Sequence, residues 1–236
     1  MSSQDLEILA KYSACDVSDA LVKLGFTTGG FLADLYPVAH FAPQSPSTYN
    51  QKTIAPASTV QFVPKLLPSA AFPDLRPSNI SSGTPYADLA VADSIVVISQ
   101  PAVQHCAVMG GIMASRMARR GVKGVVVSGR VRDLGVLSGL GERGMPVWAR
   151  ATSIVGAGAE AKAWAVGVSV EVGGVTVHPG DIIFIDPSEN GVVAIPKAKL
   201  AEVMELLPGL VEEDEKVLDA VKKGTEVEEA FRQYRN

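Results

Sequence analysis

An α/β domain with helices flanking it at both ends is the fold class that this sequence predicts, and three observations predict it. Residues 94–99 and 124–128 are short β-branched runs without polar alternation, as expected of strands buried on both faces. Between them, Ile112, Met113, Met117 and Ala118 follow helical spacing, Arg116, Arg119 and Arg120 supply a basic last turn, and Gly121 is a stop, so the spacing predicts a helix over 112–120. Strand, helix and strand in that order make a βαβ unit with parallel pairing. The third observation is amphipathic helical patterning at both chain ends, which leaves α/β and α+β arrangements both open.

The remaining elements follow in order. Leu6, Leu9, Ala10 and Tyr12 begin a first helix; Val17, Ala20, Leu21 and Leu24 continue the helical spacing over 13–24 until Gly25, with Asp16 as a cap. From Pro37 to Pro85 the composition turns to Pro, Ser and Ala, with a strand at 59–63. Pro64, Pro68, Pro73 and Pro77 break any long element there, so 66–82 reads as a mobile loop insertion, first as a surface excursion and second as a lid. Residues 146–149 add a strand, and 168–177 form two alternating runs around Gly173 and Gly174, a hairpin signal. Residues 182–185 and 191–195 make a further strand pair around a turn rich in Asp and Asn, ended by Pro196. Residues 200–207 and 218–231 read as C-terminal helices, and Glu212 to Glu215 as a solvated face.

Composition bounds the function classes. At 236 residues, 47% hydrophobic and 19% charged, the chain has enough apolar material for one domain spanning 1–236. A net charge of −4 gives no overall attraction to nucleic acid. Cys15 and Cys106 have no CxxC spacing, residues 1–5 carry no export signal, and no apolar stretch reaches a membrane-spanning length; a cytoplasmic protein with no membrane partner is expected. His40, His105 and His178 stand apart from one another, which argues against zinc and for structural roles.

Chemistry concentrates in residues 110–133. Gly110 and Gly111 remove side chains where the helix begins, so the backbone N–H groups of Gly111, Ile112 and Met113 can face a carboxylate or phosphate. Arg132 and Asp133 sit just past the second buried strand. The guanidinium is a planar fork for a carboxylate or enolate oxygen, and the carboxylate is a hard oxygen ligand for Mg²⁺ or Mn²⁺.

At this point the chain resembles the RraA-like family, which includes 4-hydroxy-4-methyl-2-oxoglutarate aldolases and a regulator of ribonuclease activity. The matching segments are 15–21, Gly110-Gly111, 124–133, 146–150, 178–181 and 186–196. The most specific part is Gly111, then twenty residues, then Arg132 and Asp133. The resemblance implies a β/β/α swivelling architecture assembled as a homotrimer or hexamer. It also implies a metal-dependent class II pyruvate aldolase that decarboxylates oxaloacetate, or else a non-catalytic regulatory binding protein or a related lyase acting on a different oxo acid. On that resemblance Asp133 reaches the divalent cation, Arg132 contacts the keto or enolate oxygen, and the amides of Ile112 and Met113 hold the pyruvyl carboxylate of a 2-oxo acid.

Two positions depart from the pattern of the bacterial aldolases, which commonly carry an acid where this chain has Gly111 and another where it has Val136. Asp16, Asp19, Asp186 and Glu189 are the acids in family-like segments that remain to compensate, and Glu202 or Glu205 would have to reach a neighbouring subunit.

Overall fold

A computed structural model describes residues 3–41, 51–66 and 77–235. The N-terminal pattern becomes two helices, α1 (Ser3–Leu9) and α2 (Ala14–Lys23). Ser13, rather than Asp16, occupies the cap: Ser13 Oγ accepts from Asp16 N–H at 3.1 Å, and Asp16 Oδ2 accepts from Ser13 N–H at 2.7 Å. That reciprocal pair satisfies two donors the helix start leaves free.

The proline-rich stretch contains more regular structure than its composition suggests. It supplies β1 (Tyr36–Pro37) and the long strand β2 (Thr53–Pro64), where a strand over 59–63 alone was expected. Pro56 is the last residue paired with its antiparallel neighbour, and Pro64 ends the strand, so their missing N–H groups cost the ladder little. Residues 67–76, the centre of the expected 66–82 insertion, lie outside the described residues. The described flank is anchored: the Asn79 amide group donates to Val166 C=O at 2.8 Å and accepts from Val166 N–H at 2.9 Å.

The predicted βαβ unit is present as β3 (Ile95–Ser99), α3 (Gly111–Arg119) and β4 (Gly124–Val131), with parallel pairing from Ile95↔Gly124 to Ser99↔Ser128. The helix therefore begins and ends one residue earlier than the spacing indicated. Ser128 and Gly129 do not end β4 as expected but form a bulge within it. A Cβ on Gly129 would lie 2.2 Å from Gln100 Oε1, so glycine there lets the Gln100 side chain lie across the strand. Gln100 Oε1 accepts from Arg130 N–H at 2.8 Å, and its Nε2 donates to Cys106 C=O at 2.8 Å.

The chain continues through α4 (Leu134–Glu142), β5 (Val147–Thr152), β6 (Ala161–Val166), and the hairpin β7 (Val170–Val172) and β8 (Val175–Val177). Gly173 and Gly174 at the hairpin tip have φ of 57° and 84°, the left-handed values that a two-residue turn of this hand requires. Next come β9 (Ile182–Asp186) and β10 (Gly191–Ile195), then α5 (Leu200–Lys222) and α6 (Val227–Tyr234). The helix break lies near Gly224 (φ 97°), so Leu218 belongs to α5 and not to the last helix. Pro208 removes one intrahelical bond, but Val203 and Leu207 before it and Val217 after it are buried, which holds both halves on the same surface.

The main sheet runs β1-β5-β4-β3-β2-β9-β10, with β6 also on β2. Strands β2, β3, β4 and β5 are mutually parallel, while β9 runs antiparallel to β2. One core, including Val96, Ile98, Val125, Val127, Met117 and Leu137, lies under α3 and α4; another, including Val97, Val126, Trp148 and Ile183, lies on the opposite face under the β7–β8 hairpin. A third, including Leu21, Phe184 and Leu207, joins α2 and α5 to β9 and β10. No helix among the described residues is long and apolar enough to cross a membrane.

Trp148 is 1% exposed at the centre of the second core. Trp148→Ala is expected to remove about 3–5 kcal/mol of stability, read as a lower urea midpoint at unchanged slope.

Candidate functional site

Because β3, β4 and β5 are parallel, their carboxyl ends gather the loops after Ser99, Val131 and Thr152 at one edge of the sheet. The first of these loops is tied down throughout. Ala107 N–H donates to Val155 C=O at 2.7 Å, Val108 N–H to Arg130 C=O at 2.9 Å, and Tyr86 Oη to Val108 C=O at 2.9 Å. The Glu160 carboxylate accepts from the N–H groups of His105 at 2.6 Å and Cys106 at 2.9 Å, and these two bonds, first that from Cys106, hold its pKa below the ordinary value of 4.5. Burial, followed by the nearby Glu160 charge, pushes the Cys106 thiol up.

The loop delivers Gly110 and Gly111 against Arg132 and Asp133. Arg132 N–H donates to Met109 C=O at 3.0 Å, and Ser153 N–H to Val131 C=O at 2.9 Å, so the backbone entering the pair is held on both sides. Asp133 has φ 62° and ψ 47°, a left-handed conformation that Asp tolerates better than most residues, and it stands just before α4. Its side chain makes no cap bond to α4. Instead Asp133 Oδ2 accepts from Gly111 N–H at 2.8 Å, so one carboxylate joins the starts of α3 and α4.

This bond corrects the expectation that three N–H groups at the start of α3 are free for a ligand. Gly111 N–H is already used; those of Ile112 and Met113 precede the first intrahelical bond, Ala114 N–H to Gly110 C=O. Arg132 Nε lies 3.8 Å from Asp133 Oδ2, and both side chains are over two-fifths exposed, so this ion pair is loose and contributes little to stability. Such a pair leaves the guanidinium free to turn to a ligand.

The glycines have specific steric reasons. A Cβ on Gly110 would meet Asp133 Oδ2 at 2.6 Å and Arg132 Cγ at 3.1 Å; one on Gly156 would meet Arg132 Nη1 at 2.9 Å. A Cβ on Gly111 would lie 3.0 Å from Val136 Cγ1. The two positions where the resemblance implies an acid are therefore neighbours, and a side chain at Gly111 would meet Val136. Gly156 belongs to the site without having been identified from sequence, because it arrives from the loop after β5.

Two concavities flank the pair. One, of about 150 Å³, is lined by Val108, Gly110, Ile112, Met113, Arg132 and Gly156 among others. The other, of about 290 Å³, is lined by Arg132, Asp133, Leu134, Thr152, Ser153 and Ile154. A cavity of about 300 Å³ between Val38, His40, Leu137 and Trp148 is no smaller, but it brings together no carboxylate and guanidinium.

The remaining acids do not converge here. Asp186 is fully buried, where it accepts from Ala14 N–H and Ser188 N–H, each at 3.0 Å. It is the last residue of β9, beside the start of β2, at the end of the sheet opposite Arg132. Asp16 completes the α2 cap, Asp19 faces Asp214 and Arg235, Glu189 accepts from Cys15 Sγ, and Glu202 pairs with Lys199. Among the described residues, no group of three or more His, Cys, Asp or Glu is placed to hold a metal. Asp133 Oδ2 accepts from Gly111 N–H, which leaves Oδ1 as the carboxylate oxygen that could take a ligand. One such oxygen suits a Mg²⁺ or Mn²⁺ ion that keeps several waters and takes further donors from substrate; it does not suit a cage built wholly from protein.

This arrangement is that of a particular fold family. The chain belongs to the RraA-like family: the family model described as Aldolase/RraA matches residues 14–194. It is 28% identical to protein DlpA of Legionella pneumophila over 231 residues, covering 97% of this chain and 33% of that protein. It is 30% identical over 112 residues to a Pseudomonas fluorescens protein named "Putative 4-hydroxy-4-methyl-2-oxoglutarate aldolase", covering 47% of this chain and 64% of that one. The chain thus spans between a third and two thirds of the length of these curated relatives. A crystal structure of a protein from Pseudomonas syringae pv. tomato superposes with a TM-score of 0.74 at 25% identity, covering 99% of this chain and 95% of that one. The α/β expectation with flanking helices holds.

Glu160 anchors the loop leading to Gly110, and its folded pKa is depressed, so its stabilising contribution is present above pH 4.5 and is lost as pH falls through the lower folded value. Glu160→Gln is expected to flatten the fall of melting temperature on that acid side. Gly110→Ala is expected to force Asp133 from Gly111 N–H, read as faster hydrogen exchange at the Gly111 amide.

Proposed function

We propose that this protein is a divalent-metal-dependent lyase of the class II pyruvate aldolase kind. It cleaves 4-hydroxy-2-oxo acids of the 4-hydroxy-4-methyl-2-oxoglutarate type to release pyruvate, and it decarboxylates oxaloacetate. The observation that carries this reading is the convergence of the α3 N-terminus, Arg132 and Asp133 on one concavity. Family membership and the name of the Pseudomonas fluorescens relative support it.

The roles follow from the geometry. The N–H groups of Ile112 and Met113, at the positive end of the α3 dipole, hold the carboxylate of the 2-oxo acid, with Gly110 and Gly111 leaving the approach open. Arg132 donates to the 2-oxo oxygen and stabilises the negative charge that develops there as the C–C bond breaks. Asp133 Oδ1 is the protein ligand for Mg²⁺ or Mn²⁺, and Gly111 N–H fixes that carboxylate through its other oxygen. When bound, the cation supplies additional positive charge for the enolate oxygen. The chain acts as a homotrimer or hexamer in which a neighbouring copy brings the acid that Asp133 lacks among the described residues of its own chain.

That same lack of a second acid favours one other reading, a non-catalytic binding protein of the regulatory RraA kind. Pyruvate release from 4-hydroxy-4-methyl-2-oxoglutarate and oxaloacetate in the presence of Mg²⁺ or Mn²⁺ separates the two readings. Turnover is expected to stop with a chelator and return with either ion, to disappear in Asp133→Ala, and to fall about 100-fold in kcat in Arg132→Lys, which keeps the charge but loses the fork. No metal-dependent pyruvate from either substrate, together with no Asp133-dependent rise in melting temperature on adding Mn²⁺ and oxalate, would leave the regulatory reading standing.

A further inference from the structure

On the lyase reading above, we infer that Gln100 is a positioning residue for the reaction. Its side chain sets the register in which the segment leading to Gly110 and Gly111 lies along the strand leading to Arg132. Strand β4 has two successive partners on that side. As far as Ser128 it pairs with β3, and Gln100 N–H extends this ladder by donating to Ser128 C=O at 3.1 Å. Beyond the bulge the partner is the stretch 107–109. There Val108 N–H donates to Arg130 C=O at 2.9 Å, Arg132 N–H donates to Met109 C=O at 3.0 Å, and Met109 forms a parallel bridge with Val131.

Two backbone groups fall where one partner gives way to the other: Arg130 N–H on the strand and Cys106 C=O on the incoming segment. The Gln100 side chain takes both, accepting from Arg130 N–H at 2.8 Å through Oε1 and donating to Cys106 C=O at 2.8 Å through Nε2. One planar side-chain amide thus holds strand and segment at a fixed separation, as a peptide unit does within a regular ladder. Its own place is fixed as well. Gln100 is 6% exposed, and a Cβ on Gly129 would lie 2.2 Å from its Oε1 and 2.7 Å from its Cβ. Glu160 holds Cys106 N–H from the loop before β6, so it ties the segment down without setting its register on β4.

Register matters because of what the substrate is. In a 2-oxo acid the carboxylate and the 2-oxo oxygen sit on adjacent carbons, so their spacing is fixed by covalent geometry. The amides of Ile112 and Met113, at the start of α3, must therefore stand at one distance from the Arg132 guanidinium. Loosening the register leaves the carboxylate bound at the helix start but takes Arg132 off the oxygen where charge develops. The loss falls on the chemical step.

The test measures kcat and KM for pyruvate release from 4-hydroxy-4-methyl-2-oxoglutarate with Mg²⁺, well below the melting temperature, for the full chain and three variants. Gln100→Met keeps the length and loses both bonds, while Gln100→Glu keeps the acceptor for Arg130 N–H and loses the donor to Cys106 C=O. Asn79→Ala is the control: it removes a two-bond tie to Val166 and lines neither concavity. The expected result for Gln100→Met is a kcat about 10- to 100-fold lower with KM within about threefold. Gln100→Glu shifts in the same direction, and Asn79→Ala lowers the melting temperature at unchanged kcat. If Gln100→Met does not fold, Gln100→Glu decides by the same split. Unchanged kcat in the folded Gln100 variants, a loss carried by KM alone, or failure of both to fold makes Gln100 a structural tie; each overturns the inference and leaves the lyase reading intact. No pyruvate from the unsubstituted protein defeats the lyase reading, and the inference with it.

Discussion

Parallel pairing of β3, β4 and β5 is the constraint on which the rest of the site depends. Parallel strands with both faces buried must be rejoined over the sheet, so every carboxyl end points the same way and three loops meet at one edge. The Asp133 carboxylate then joins two of those loops by accepting Gly111 N–H. Gln100 performs the corresponding task lower down, bonding the Cys106 carbonyl and the Arg130 amide across the space that Gly129 leaves. Backbone groups that the bulge in β4 would otherwise leave unpaired are satisfied, and the chain reaches Arg132 in a fixed direction.

The departures at Gly111 and Val136 take on meaning once the two are seen to touch. Taken separately, each is a position where the resemblance implies an acid and this chain has none. Together they form an apolar contact between the first turns of α3 and α4, with the Val136 side chain filling space beside a position that carries none. The Asp133 carboxylate stands between the two helix starts and accepts from Gly111 N–H. Arg132 and Asp133 line both flanking concavities, the smaller one together with Ile112 and the larger one together with Leu134, Thr152, Ser153 and Ile154.

Much of the fold was legible in the sequence because the signals were local. The β-branched run at 124–127, the spacing of Met113 and Met117, and the glycine pair at 173–174 each specify an element through nearby residues alone. Where the reading failed, the deciding contacts were distant. Prolines suggested loops through 37–85, but β2 gains its length from pairing with β3, β6 and β9, which are remote in sequence. Ser128 and Gly129 resemble a strand end, yet Gln100 supplies the bond that lets the strand continue as a bulge. The helix expected over 200–207 runs on through Pro208 to Lys222, because burial on both sides of the proline outweighs one lost hydrogen bond.

By itself the sequence determined the candidate groups: a glycine-led helix start, a guanidinium and a carboxylate, each recognisable from the properties of single residues. It also determined that these groups follow buried strands, because hydrophobic runs report burial directly. Only the tertiary structure decided which groups remain available. Asp133 uses one oxygen on Gly111, Asp186 lies buried at the far end of the sheet, and Ile154 projects beside Arg132. Such facts depend on the direction of a side chain and on partners far along the chain, which residue spacing does not encode.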